Sequence, residues 1–438
     1  MSINPFKEKG VKLDKQFRTW KQIAQLPYRK QEVDAYTRCR VILMNGIENA
    51  SILFSHNMAR KTVDNELKEL LAIMRRVDSQ QQTTINWLNP FDQTVLETTI
   101  AYEQVAVDLT AYLARTEPDE YLKEVLHFGL LEDFDHLYRY SQVLDIVEGK
   151  DPEEITQGKT DIFPGRPTQD HHNDPILRLR EHYSKNKAHP ISKANILTVL
   201  AAEQQTMMYY REHGFQYGGQ DVRELYAEIA EVEEEHVTQY ESLIDPNETW
   251  MEKWLMHEFV ECANYYACYS METDARIKQI WELFLSYELE HLRLAGEAIK
   301  KYEDKDPEEI CGSELPTPGT FEENKEYVAE VLFDTVDKRL MPNGEFARIE
   351  DLPGDWASYL YQATVNAEGS PSEQAVRYRM MSAGKELLRA GDDLIKRAGE
   401  IRFALDKEMT ANTAPETAEE MTSQAELLAR RANASGRD

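Results

Sequence analysis

Apolar positions recur at the three- and four-residue spacing of amphipathic helices along most of the chain. The pattern predicts helices near 35–58, 64–87, 93–115, 119–147, 191–213, 220–244, 248–272 and 275–302. Short breakers such as Asn89-Pro90, Gly218-Gly219 and Asp245-Pro246-Asn247 separate them. A polar stretch, TQGKTDIFPGRPTQDHHNDP, divides the helices into two sets of four and reads as a linker. Three more helical segments follow near 322–340, 354–366 and 373–408, and then a polar tail that reads as mobile. The expected fold is all-α.

The two sets are related. EGKDPEEI at Glu148–Ile155 returns as EDKDPEEI at Glu303–Ile310, 155 positions on. The same shift places Lys68-Glu69-Leu70 on Arg223-Glu224-Leu225, Val77 on Val232 and Leu137 on Leu292. An internal duplication of one helical-bundle unit accounts for this. The turn itself only suits a helix start, since Pro and acidic residues favour a first turn. The expected organisation is two tandem four-helix bundles, at 1–155 and 191–310, joined by a linker at 156–190. A helical C-terminal region at 311–408 and the tail at 409–438 complete it.

The second unit carries a spaced set of metal-ligand types. Glu203 is followed 30 residues later by Glu233 and 33 later by His236, and Glu258 is followed at the same intervals by Glu288 and His291. Residues i and i+3 share a helix face, so each Glu-x-x-His directs a carboxylate and an imidazole to one point. All six positions fall within the apolar stripes of their helices. Four carboxylates in an apolar core repel one another and lose hydration unless protonated or neutralised by cations. Two divalent ions would supply that charge, and carboxylates with one imidazole per metal suit iron or manganese better than zinc in a thiolate site.

Glu, Glu-x-x-His, Glu, Glu-x-x-His over 196–300 resembles the ferritin-like di-iron carboxylate superfamily, which includes rubrerythrins and bacterioferritins. The resemblance implies bundles of ferritin-like type and two iron ions, with manganese as the alternative. It assigns Glu203 and Glu258 as terminal or bridging carboxylates, Glu233 and Glu288 as bridging ones, and His236 and His291 as one imidazole per iron. Glu261, one turn after Glu258, is an alternative ligand, although a surface glutamate is the plainer reading. The implied activity is that of an oxidoreductase reacting Fe(II) with dioxygen or peroxide, of ferroxidase or peroxidase type, served by an unidentified electron donor. Two features depart from the family. The paired CxxC motifs of rubrerythrins are absent, and only 22 residues separate His236 from Glu258, where the family has a long crossover. An alternative pairing sets the hairpin carrying Glu103, Asp133 and His136 against the one carrying Glu203, Glu233 and His236, with the polar connector as the crossover. The repeat favours intact units.

Shifted back by 155, the six positions fall on Glu48, Asp78, Gln81, Glu103, Asp133 and His136. One histidine has become Gln, and an amide is a poor ligand beside an imidazole. This set reads as a weaker second site, mononuclear or retired. His171-His172 in the connector reads as solvated loop rather than ligand, Cys262 as a small core residue, and the tyrosines near the site as packing.

Composition narrows the function classes further. A formal charge of −29 over 438 residues argues against general nucleic-acid binding and suits attraction of metal cations. No apolar run is long enough to span a bilayer, and the first residues lack the apolar core of a secretion signal. Cys39, Cys262, Cys268 and Cys311 form no CxxC pair, so cytoplasmic residence is the expectation. Homo-oligomerisation stays open. Two other functions fit the same residues: a di-iron oxygenase acting on a small organic substrate, and a non-catalytic helical scaffold that binds a partner.

Overall fold

The computed structural model describes residues 3–397 except 318 and 320, together with 399. The end of the helix expected over 373–408 and the tail at 409–438 lie outside the described residues. Eight long helices run α1 (Ala35–Ala59), α2 (Asn65–Asn86), α3 (Val95–Thr116), α4 (Glu120–Glu148), α5 (Pro190–His213), α6 (Gln220–Ser242), α7 (Trp250–Met271) and α8 (Ala275–Glu303). The fold is all-α. Local sequence sets the helix starts. Asp34, Asp64, Asp119 and Asp274 each accept first-turn backbone N–H bonds, while Thr94 with Glu97 and Thr249 with Glu252 close capping boxes. Each of α1–α4 begins 155 positions before its counterpart in α5–α8, as in Ala35 against Pro190 and Val95 against Trp250. The repeated DPEEI opens a short helical turn after α4 and again after α8.

How the helices associate corrects the tandem expectation. Helices α3–α6 form a central bundle, and α1, α2, α7 and α8 form an outer one. In the central bundle, His136 on α4 lies 3.0 Å from Glu233 on α6, and the Tyr210 hydroxyl on α5 donates to Glu103 on α3. In the outer bundle, Gln81 on α2 donates to Glu288 on α8 at 2.7 Å, and Tyr265 on α7 donates to Glu48 on α1. Residues 1–155 and 191–310 are therefore not separately packed units. Each repeat opens between its hairpins, and each bundle takes the first hairpin of one repeat and the second of the other. The physical reason is that exchanging identical elements between repeats preserves every equivalent contact, as in domain swapping. A register of 155 residues consequently reveals the repeat and not the partners. The short link from His236 to Glu258 runs between bundles, and the connector supplies the crossover from α4 to α5.

That connector is not a loose linker. Arg166, Thr168, His171 and Arg178 within it are fully buried, and His172 nearly so. Gly165 is needed here because a Cβ would come 2.2 Å from the Leu131 carbonyl oxygen of α4. The N-terminal segment seals α8 similarly: Val11 N donates to Ser286 O at 2.8 Å, and a Cβ on Gly10 would meet Glu290 N at 2.4 Å.

The C-terminal region has helices α9 (Lys325–Thr335), α10 (Ala357–Val365) and α11 (Pro371–Ala383). The helix expected over 322–340 stops at Thr335, and β1 (Lys338–Leu340) pairs antiparallel with β2 (Phe346–Arg348). Met341-Pro342-Asn343-Gly344 explains the change, since Pro is excluded from helix interiors and Gly344 adopts φ +84°. α11 ends at Gly384, in the left-handed region at φ +71°. It docks on the central bundle, where the Ser372 backbone N–H donates to Glu228 at 2.6 Å and Arg139 reaches Glu373 at 2.8 Å. All four cysteines are free and buried. Among the described residues, no helix is long and apolar enough to cross a membrane.

Candidate metal centres

Each bundle has one cluster of buried acids and histidines at its middle. The residues predicted from sequence all occur in these clusters, but in a different grouping. Glu203, Glu233 and His236 join Glu103, Asp133 and His136 in the central bundle, and Glu258, Glu288 and His291 join Glu48, Asp78 and Gln81 in the outer one. The six residues expected as one intact site are split between two sites, and so are the six of the weaker one.

In the central cluster, Glu233 is the shared member of two groups that can hold a metal ion, Asp133–Glu203–Glu233–His236 and Glu103–His136–Glu233. Its Oε1 lies 3.0 Å from His136 Nδ1, and its Oε2 lies 3.2 Å from His236 Nδ1. His236 Nδ1 is also 3.4 Å from Asp133 and 3.6 Å from Glu203. The far side of that ring is fixed by Glu132, whose carboxylate is 2.6 Å from Nε2. Glu132 is in turn gripped by Arg178 at 2.8 Å, and Arg178 reaches Glu235 at 2.6 Å. A carboxylate on the outer nitrogen of a histidine orients the inner nitrogen and raises its basicity, the usual support of a metal-bound imidazole.

Charge in this cluster is only partly compensated by protein groups: burial lowers His236, but hydrogen bonds to Glu132 and Glu203 prevail and hold it well above the usual histidine range. Both oxygens of Asp133 and of Glu203, Oε2 of Glu103 and Nε2 of His136 are buried with no hydrogen-bond partner. Buried polar atoms are rarely left this way without an ion or another missing partner. Burial and the neighbouring carboxylates push Glu103 and Asp133 well up, and burial pushes Glu203 up to about 8. Burial also acts to raise Glu233, but hydrogen bonds from His136 and His236 prevail and hold it well below the carboxylate range. Protons thus occupy, in the metal-free protein, positions where cations fit. The donor set of four carboxylates and two imidazoles suits such ions.

The outer cluster follows the same plan with three exchanges, Asp78 for Glu233, Glu288 for Asp133 and Gln81 for His236. Gln81, the counterpart of His236, donates to Glu48 at 2.9 Å and to Glu288 at 2.7 Å instead of offering a ring nitrogen. Glu288 is again shared between two groups, Asp78–Glu288–His291 and Glu258–Glu261–Glu288. His291 Nδ1 lies 2.9 Å from Glu288, and its Nε2 lies 2.7 Å from the Gln16 side-chain oxygen. Glu261 is only 1% exposed, with Oε1 unpartnered, which corrects its reading as a surface residue. Burial and like charge push Glu48, Glu258 and Glu261 well up, and burial pushes Asp78 up to about 7.

Several supporting residues escaped the sequence reading. Glu132, Arg178 and Gln16 look like ordinary polar positions, and only the packing brings them to the histidines. His171, expected in a solvated loop, is fully buried, with its ring 5.5 Å from that of His136. Comparison of the chain with family models, with curated proteins and with solved structures finds no match.

Proposed function

We propose that this chain is a di-iron oxidoreductase of ferroxidase or peroxidase type, and that its reactive centre is the central cluster. The observation that carries the reading is Glu233, whose two oxygens face two histidines and whose neighbours leave buried carboxylate oxygens unpartnered. Glu103 and His136 would hold one ion, Asp133, Glu203 and His236 the other, with Glu233 between them. Two irons bound there would supply the electrons that reduce dioxygen or peroxide. The chain's own part is to hold the ligands in place through Glu132 and Arg178 and to bury them from bulk water. Manganese is the alternative metal for the same donors. The outer cluster, with one imidazole and an amide, is the weaker site. The crossover formed by the connector removes the main departure from the ferritin-like pattern and supports this reading.

Anaerobic loading with Fe(II), metal counting, and stopped-flow oxidation by dioxygen or peroxide test the proposal. Rapid oxidation that Glu233→Ala abolishes is the expected result. Fewer than about one iron per chain, together with no effect of Glu233→Ala or His136→Ala on metal content, would leave a helical scaffold as the better description.

A further inference from the structure

Away from both clusters, a cleft of about 550 Å³ opens where α1, α2 and the α2–α3 turn meet α3 and α5. That volume is within the range of small-molecule sites. Eight of its lining side chains are amides, among them Asn49, Gln82 and Asn86. Its wall also carries Tyr209 with the His213 ring stacked on it at 4.2 Å. Among the described residues no Lys or Arg lines it, and Glu212 adds a negative charge, so phosphate or carboxylate ligands would be repelled.

Each amide pairs a donor with an acceptor, so a cleft lined by eight of them suits a ligand whose groups both donate and accept, as hydroxyls do.

The duplication supplies an internal control. Shifted by 155, Asn45, Gln82, Asn89 and Gln205 become Leu200, Val237, Ile244 and Ala50, and Val95 becomes Trp250. The stacked pair Tyr102–Tyr209, with centroids 4.4 Å apart, recurs as His257–Phe54 at 4.4 Å, now with Trp250 5.5 Å from Phe54. The helix arrangement is shared, and of the eight lining amides only Asn49 keeps an amide in the other copy, as Gln204. The fold therefore does not require these amides.

We propose that the cleft binds an uncharged polyhydroxylated ligand of the saccharide class, its hydroxyls met by the amides. This does not depend on the metal chemistry proposed above. Saturation-transfer NMR on the full chain, with glucose, maltose and trehalose as separate probes and with adenosine and glucose 6-phosphate as competitors of other chemistry, tests it. At least one neutral sugar should show transfer, and Val95→Trp, which installs the residue of the sister position, should reduce it to background. Gln82→Val, also a residue the sister position already accommodates, removes an amide without filling the cleft and should weaken the signal; it decides the matter if Val95→Trp does not fold. No transfer to any of the three sugars, transfer unchanged in the folded variants, or stronger transfer to adenosine or glucose 6-phosphate would each overturn the proposal.

Discussion

His136 and Glu233 lie 97 positions apart in different repeats, and their side chains meet at 3.0 Å in the core of the central bundle. This contact distinguishes exchanged hairpins from tandem units, because tandem units would place the two residues in separate bundles. His136→Ala and His236→Ala should therefore act on the same centre, and because both ions there share Glu233 their effects on metal affinity should be coupled. His291→Ala should deplete the other centre independently. Metal content and affinity after loading and desalting read this directly; a His236 effect coupled to His291 and not to His136 would contradict the exchange.

Stability without metal should fall as pH rises. Glu203 is pushed up to about 8 and Asp78 to about 7, chiefly by burial, whereas both ionise near pH 4 when unfolded. The folded chain then holds more protons than the unfolded one between about pH 4 and 8, so stability declines across that window. His291, lowered by burial but raised overall to about 10 by Glu288 and Asp78, acts in the same direction: its stabilisation is complete below about 6.5 and is lost toward 10. Glu233, held low, opposes the trend only below about pH 4. Melting in chelator should shift downward from about pH 5 to about pH 8, and Mn(II) should raise the midpoint by an increment that grows with pH as metal displaces protons. A midpoint that is level or rising in chelator would count against these assignments.

Helix existence was legible because periodicity and caps are local: Thr94 and Thr249 announce their helices without reference to anything distant. The ligand positions were legible too, since each Glu-x-x-His lies within the apolar stripe of its helix. Their grouping was not, because Glu48 and Glu203 occupy equivalent places and either could face Glu103 or Glu258 without changing a local signal. The polar connector hid its burial for a related reason. The charge of Arg178 is met in the core by Glu132 and Glu235, which are 46 and 57 positions away.

That buried pairing makes Arg178 a stability prediction. Arg178→Ala removes the cation of Glu235 and leaves Glu132 only one arginine, Arg166, 3.5 Å away, and should cost about 3–5 kcal/mol in chemical denaturation. Glu132→Gln is milder for the fold but weakens the hold on His236, and it should lower metal affinity by roughly 10–100-fold. Equal affinity in Glu132→Gln, measured by competition with a chelating dye, would show that the ring needs no such support.

Gln81→His reverses the one loss of a ligand type between the two clusters. The counterpart position holds His236, so an imidazole is already compatible with this backbone in the sister bundle. The replacement gives up the amide's bonds to Glu48 and Glu288, at 2.9 and 2.7 Å, which leaves those carboxylates more dependent on a cation. Metal-free Gln81→His should therefore be less stable than the parent chain, while its outer centre should take up Mn(II) more tightly. Titration by electron paramagnetic resonance in a Glu233→Ala background isolates that centre. Weaker Mn(II) binding there would mean that Gln81 supports the outer site as it stands, and that its five carboxylates and single imidazole suit a different coordination from that of the central one.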